Sequence, residues 1–109
     1  MMGYSVDYKP TRKRAAGKAR RARDLRNAVR WNLPQLEYDT TGVDTVDREM
    51  CIRVLRLNRI APTADPTGDH CMQQLISDGY VQRPRVLAGR RVFDRDDLIQ
   101  SLKRYAGVL

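Results

Sequence analysis

The 109-residue sequence predicts a mainly α-helical fold carrying one small β-hairpin, with a basic helical arm ahead of the globular part. Three observations predict it. Apolar residues recur at three- and four-residue spacing in four separate stretches. One segment, "PRVLAGRRVFDRDDL" at residues 84–98, sets two short apolar runs around a glycine, the pattern of a hairpin. Charge is also divided unevenly. Residues 9–30 hold ten basic side chains against the single acid Asp24, while the rest of the chain carries 11 basic and 12 acidic residues. The net charge of +8 and the pI near 10.1 therefore come from the arm.

In the arm, Ala15, Ala19, Ala22, Leu25 and Val29 form a stripe that predicts a helix over residues 13–32, since arginine and alanine are good helix formers. The stripe is mostly alanine, too thin to hold much core alone, and Leu33-Pro34 is expected to end the helix. "LPQLEYDTTGVD" then reads as a polar linker, so the expected division is an arm with its linker at 1–43 and a folded domain at 44–109. In "DTVDREMCIRVLRLNRI", Val46, Met50, Val54 and Leu57 share a stripe opposite Glu49, Arg53 and Arg56, predicting an amphipathic helix capped by Asp44 or Thr45. "APTADPTGD" is a turn-rich break. "DHCMQQLISDG" follows as a short helix capped by Asp69 or Thr67 and stopped at Gly79. Its inner residues are Cys71, Met72, Leu75 and Ile76, and its outer ones His70, Gln73, Gln74 and Ser77. After the hairpin, Asp94 caps a last helix with Asp97 at its third position, and Leu98, Leu102 and Tyr105 turn inward before Gly107.

Several classes of chemistry find no support. No apolar run approaches the roughly 20 residues of a membrane span. The basic N-terminal region leads into no apolar segment of the kind a secretory signal needs, so a cytoplasmic protein is expected, with a virion or an organelle as alternatives. Cys51 and Cys71 sit in apolar helical settings and read as buried free thiols, with a disulfide as the alternative. With His70 they lack any zinc-ligand spacing, so no metal is expected. The aspartates at 94, 96 and 97 suit a helix start, where the macrodipole favours them, better than a catalytic cluster. No phosphate-binding loop and no paired nucleophile and base are present. The expectation is a protein that is not an enzyme and uses no cofactor.

A near-neutral body with a strongly basic arm suggests a polyanionic partner, because cations released from a nucleic acid add affinity, and the alternative is a solvated tail with no fixed partner. Arg12, Lys13, Arg14, Lys18, Arg20, Arg21, Arg23, Arg26 and Arg30 of the arm are the candidates to grip DNA backbone, and phosphate attraction alone would also admit RNA. Helix, helix, hairpin, helix is the order of a winged helix-turn-helix, in which the second helix reads bases and the hairpin, or wing, meets backbone or minor groove. On the wing, Arg90 and Arg91 should lie on opposite faces, with Arg83 and Arg85 extending the patch. The competing reading has these arginines blunt an exposed strand edge or pair with Asp94, Asp96 and Asp97. On the second helix, Gln73 and Gln74 suit bidentate contact with adenine, and His70 or Ser77 could reach base or phosphate. Plain solvation is the competing reading there. Trp31 reads as an anchor that docks the arm onto the body or onto a second subunit.

Gly79, Pro84, Val86, Leu87, Gly89, Arg90, Arg91, Val92, Phe93, Asp94 and Leu98 resemble the wing and following helix of the excisionase and MerR-like families. The resemblance covers about residues 71–105. Upstream, "LNRIAPTADPTGD" is longer than the compact turn of those families. The resemblance implies a small DNA-binding protein of phage or mobile-element type, either an excisionase-like architectural factor or a transcriptional regulator. It would work as a homo-oligomer or within a larger nucleoprotein complex, because so small a domain reads few base pairs. The alternatives are a structural ribosomal or virion component, the DNA-recognition subunit of a packaging terminase, and a protein-interaction module or inhibitor that uses the basic helix.

Overall fold

Leu25, Val29, Leu33 and Leu36 recur at helical spacing and all four are buried, which makes the second half of the arm part of the body. The computed structural model describes the backbone of residues 3–108 and the side chains of residues 17–108. Helix α1 runs from Gly3 to Asp39, straight through the expected stop at Leu33-Pro34 and through most of the expected linker. An interior proline removes one backbone hydrogen bond and costs roughly 3 kcal/mol. Burial of Leu33 and Leu36 contributes about 2 kcal/mol each, so packing outweighs the break. The buried face is also leucine and valine, a stronger seam than the alanine stripe of the first half.

Two side chains lock this end of α1. Asn32 Nδ2 donates to the carbonyls of Ala28 at 2.8 Å and Leu55 at 3.1 Å, joining α1 to the end of the next helix. Arg95 donates to the Glu37 carbonyl at 2.9 Å and to Thr40 Oγ1 at 3.1 Å, placing a cation at the negative end of the helix dipole.

The expected helix start at Asp44 is instead a strand, β1 (Thr45–Asp47). Val46 lies four residues before Met50, so it fits a helical stripe as well as a strand face. Its β-branched side chain is buried opposite Phe93. Helix α2 (Arg48–Leu55) follows, with Asp47 rather than Asp44 or Thr45 at its N-cap and no capping bond from that side chain. Arg56, at φ 59°, ends it, and Leu57–Arg59 form one 3-10 turn.

Helix α3 (Asp69–Ser77) is capped neither by Asp69 nor, in the main, by Thr67. The buried Asp65 carboxylate accepts from the backbone N–H of His70 at 3.1 Å and Cys71 at 3.0 Å, while Thr67 Oγ1 accepts from Asp69 N–H at 3.3 Å. Asp69 pairs with Arg48 across the turn. The cap position is Gly68, at φ 77°, and any side chain there would collide with α2 and the 3-10 turn. Gly79 stops α3 with a left-handed backbone, as expected.

Strands β2 (Arg85–Leu87) and β3 (Arg90–Asp94) form the predicted hairpin. Its two-residue turn has positive φ at both Ala88 and Gly89, the turn whose twist matches that of paired strands. Because β3 pairs on both sides, the sheet is three-stranded and antiparallel in the order β1-β3-β2. Tyr80-Val81 lies ahead of the sheet and forms no strand. Val81 is buried and Tyr80 meets the Tyr105 ring edge-on at 4.9 Å. Helix α4 (Arg95–Ala106) buries Leu98, Ile99, Leu102 and Tyr105 and ends at Gly107. Asp94 occupies its N-cap position without a capping bond, since its carboxylate accepts from Arg85 instead.

The molecule is thus mainly helical with a small antiparallel sheet. One hydrophobic cluster holds residues from both sides of position 43. The first half of α1 projects from it, giving an elongated shape of 63 × 31 × 23 Å. No described helix is long and apolar enough to cross a membrane.

Candidate nucleic-acid interface

The outer residues of α3 are set by its inner ones. With Cys71, Met72 and Leu75 in the core, helical periodicity turns His70, Gln73, Gln74 and Ser77 to solvent, and all four are exposed. Gln73 donates to Ser77 Oγ at 3.2 Å, so the two side chains share one side of the helix. Two clefts flank this ridge. One lies between α3 and the projecting part of α1, where Lys18 and Arg21 face His70, Gln73, Gln74 and Ser77. The other lies between α3 and the hairpin, where Arg48, Arg83, Pro84, Val86 and Arg91 face Gln73 and Ile76. Gln73 lines both.

The hairpin sorts its arginines by face. Strand alternation and register put Arg85, Leu87, Arg90 and Val92 on one side, and Val86, Arg91 and Phe93 on the other. On the first side, Arg90 pairs with Asp47 at 2.8 Å and Arg85 with Asp94 at 3.2 Å. Here the competing reading of the sequence holds in part, although Arg90 bonds an aspartate on β1 rather than one at the start of α4. Of the start-of-α4 carboxylates, Asp96 instead pairs with Arg95. On the second side Arg91 faces the cleft together with Arg83, and among the described residues neither has a carboxylate within salt-bridge distance. The four wing candidates therefore separate into two paired and two unpaired cations.

The arm candidates divide as well. Lys18 and Arg21 line the α1–α3 cleft. Arg26 is drawn back to the body, its guanidinium 5.6 Å from the centre of the Tyr105 ring. Arg20, Arg23 and Arg30 are exposed elsewhere on α1. Arg12, Lys13 and Arg14 lie outside the residues whose side chains are described. Trp31 does not dock onto the body: it is 80% exposed, on the side of α1 away from the core.

Arg48, absent from the sequence-level candidates, lines the cleft between α3 and the hairpin and a second concavity beside Asp47, Asp69 and Arg90, and it bonds Asp69 at 2.6 Å. This hydrogen bond, more than any other interaction, holds the Asp69 carboxyl below its ordinary range. A basic residue at a helix start, against the dipole, is the sequence signal that could have marked it. Burial pushes the Cys51 thiol up to about 12. Burial, then a hydrogen bond with Asp65, takes Cys71 to about 11, so both remain protonated at neutral pH. Both are free. Among the described residues, no three His, Cys, Asp or Glu side chains converge as a metal site would require.

Neither family models nor curated proteins nor solved structures provide a match to this chain.

Proposed function

We propose that the chain is a non-catalytic, winged helix-turn-helix DNA-binding protein, acting as a transcriptional regulator or an excisionase-like architectural factor. The observation that carries this reading is the position of Gln73. It stands on an exposed helix between two clefts, one lined by Lys18 and Arg21 and the other by Arg83 and Arg91. Duplex DNA fits such an arrangement: α3 enters the major groove while cations on each side reach the flanking phosphates. The order α1-β1-α2-α3-β2-β3 with sheet order β1-β3-β2 supports the winged reading, as does the cleft in which Gln73 and Ile76 of α3 meet Val86 and Arg91 of the hairpin. The long turn of residues 56–68 is compatible with it, since Asp65 caps α3 from within the turn and Gly68 sets the start of α3 close to Ile52 of α2.

In this reading Gln73 and Gln74 read base edges, Arg83, Arg91, Lys18 and Arg21 hold phosphates, and Arg48 positions α3 through Asp69. Arg85 and Arg90 contribute less, because each must first exchange a carboxylate for a phosphate. Selection from a random duplex pool tests it. The native chain enriches a short motif, and Gln73→Ala weakens binding to that motif by about 1–3 kcal/mol while nonspecific affinity is kept. Enrichment that is indifferent to Gln73 and Gln74 contradicts base reading by α3, and binding with no enriched motif favours a purely structural nucleoprotein role.

A further inference from the structure

The side of α1 turned away from the core carries a feature that DNA binding does not use. Asn27, Trp31, Pro34, Gln35 and Tyr38 follow one another at helical spacing, roughly opposite the buried Leu25–Val29–Leu33–Leu36 stripe. None is charged, whereas Lys18, Arg20, Arg21, Arg23, Arg26 and Arg30 crowd the exposed positions before and beside them. Trp31 is 80% exposed and Tyr38 77%, two large rings one heptad apart on the same face. A phosphate surface would be met by cations, so an uncharged aromatic stripe points to a protein partner.

We infer that this stripe is a self-association surface on which a second copy of the chain packs, its α1 antiparallel to the first. Antiparallel pairing about a point between Pro34 and Gln35 sets Trp31 of each chain opposite Tyr38 of its partner, so the surface is complementary to itself, as a two-fold contact requires. It also directs the basic first halves of the two helices to opposite ends. Parallel pairing would instead bring Arg20 and Arg23 of both chains side by side. Area agrees with this occupant. Four aromatic rings bury roughly 600–1,000 Å², and Asn27, Pro34 and Gln35 of both chains carry the interface toward the roughly 1,200–2,000 Å² of a stable one. The clefts beside α3 stay open, because Lys18 projects from the buried side of α1.

Trp31 is the sole tryptophan, so its emission reports on this face directly. The test follows mass by sedimentation equilibrium and emission wavelength together, on the full chain without DNA, from about 1 to about 100 µM. The expected result is a rise to twice the 12.6 kDa chain mass, with a blue shift of Trp31 emission over the same concentrations. Gln35→Lys brings two cations together where the helices cross, and Tyr38→Ala removes a ring. Each is expected to keep the native circular dichroism and the melting temperature that the native chain shows at about 1 µM, because both sites are exposed, while abolishing the mass change, the blue shift and any rise of melting temperature with concentration. A chain that stays monomeric with solvent-like emission throughout overturns the inference. So does a mass that climbs past two chains, or a dimer indifferent to both substitutions.

Discussion

Gly68 shows how a single residue fixes the geometry on which the interface depends. A Cβ built there would lie 2.7 Å from Ile52 Cγ2 and 2.8 Å from the Asn58 backbone nitrogen, at a φ of 77° that alanine resists. Gly68→Ala is expected to cost about 3 kcal/mol or more, by moving α3 away from α2 and straining the cap, as read by chemical denaturation. A loss under about 1 kcal/mol would mean that the two helices do not approach each other closely. Asp69 offers a second check. Its carboxyl is held below the usual 3.8, chiefly by the Arg48 hydrogen bond. A carboxylate with a lowered folded pKa adds stability above its unfolded pKa and loses it as pH falls through the folded one. The contribution is therefore complete at neutral pH and disappears only in acid below 3.8. In an NMR titration, Arg48→Ala should return Asp69 toward 3.8, and an unchanged value would contradict the ion pair.

At the scale of elements, α1 is where the sequence was hardest to read. Leu33 and Leu36 continue the spacing of Leu25 and Val29, but Pro34 sits among them. Local rules give a proline more weight than four apolar side chains whose partners lie far along the chain. Strand β1 was hidden for a different reason: three residues carry little periodicity, and Val46 serves either pattern. The hairpin was legible because its turn chemistry is local, with Gly89 at positive φ and alternating runs on both sides. Its arginines were legible as a group, yet not individually. Which cations are paired depends on Asp47, 43 residues before Arg90 in the chain. The outer face of α3 was legible in full, because the inner face of an amphipathic helix defines it. For α1, Pro34→Ala restores a backbone N–H inside the helix, near its C-terminal end, and should stabilise the protein by roughly 1–3 kcal/mol in a denaturant titration. No change, or destabilisation, would argue that α1 is interrupted at that position.

Over the whole molecule, the body and the arm are not separate pieces. Removing residues 1–43 would take Leu25, Val29, Leu33 and Leu36 out of the core, so the arm's contribution is better tested by charge substitution than by truncation. The most direct measurement is the salt dependence of affinity for a duplex, comparing Arg83→Ala/Arg91→Ala with Arg85→Ala/Arg90→Ala. Each DNA phosphate that a variant no longer neutralises lowers the slope of log affinity against log salt by about 0.9. The first pair, unpaired and facing α3, is expected to flatten the slope by close to the value for two phosphates, while the second leaves it nearly unchanged. Equal slopes for both double variants and the native chain would contradict an interface centred on α3 and the wing cleft.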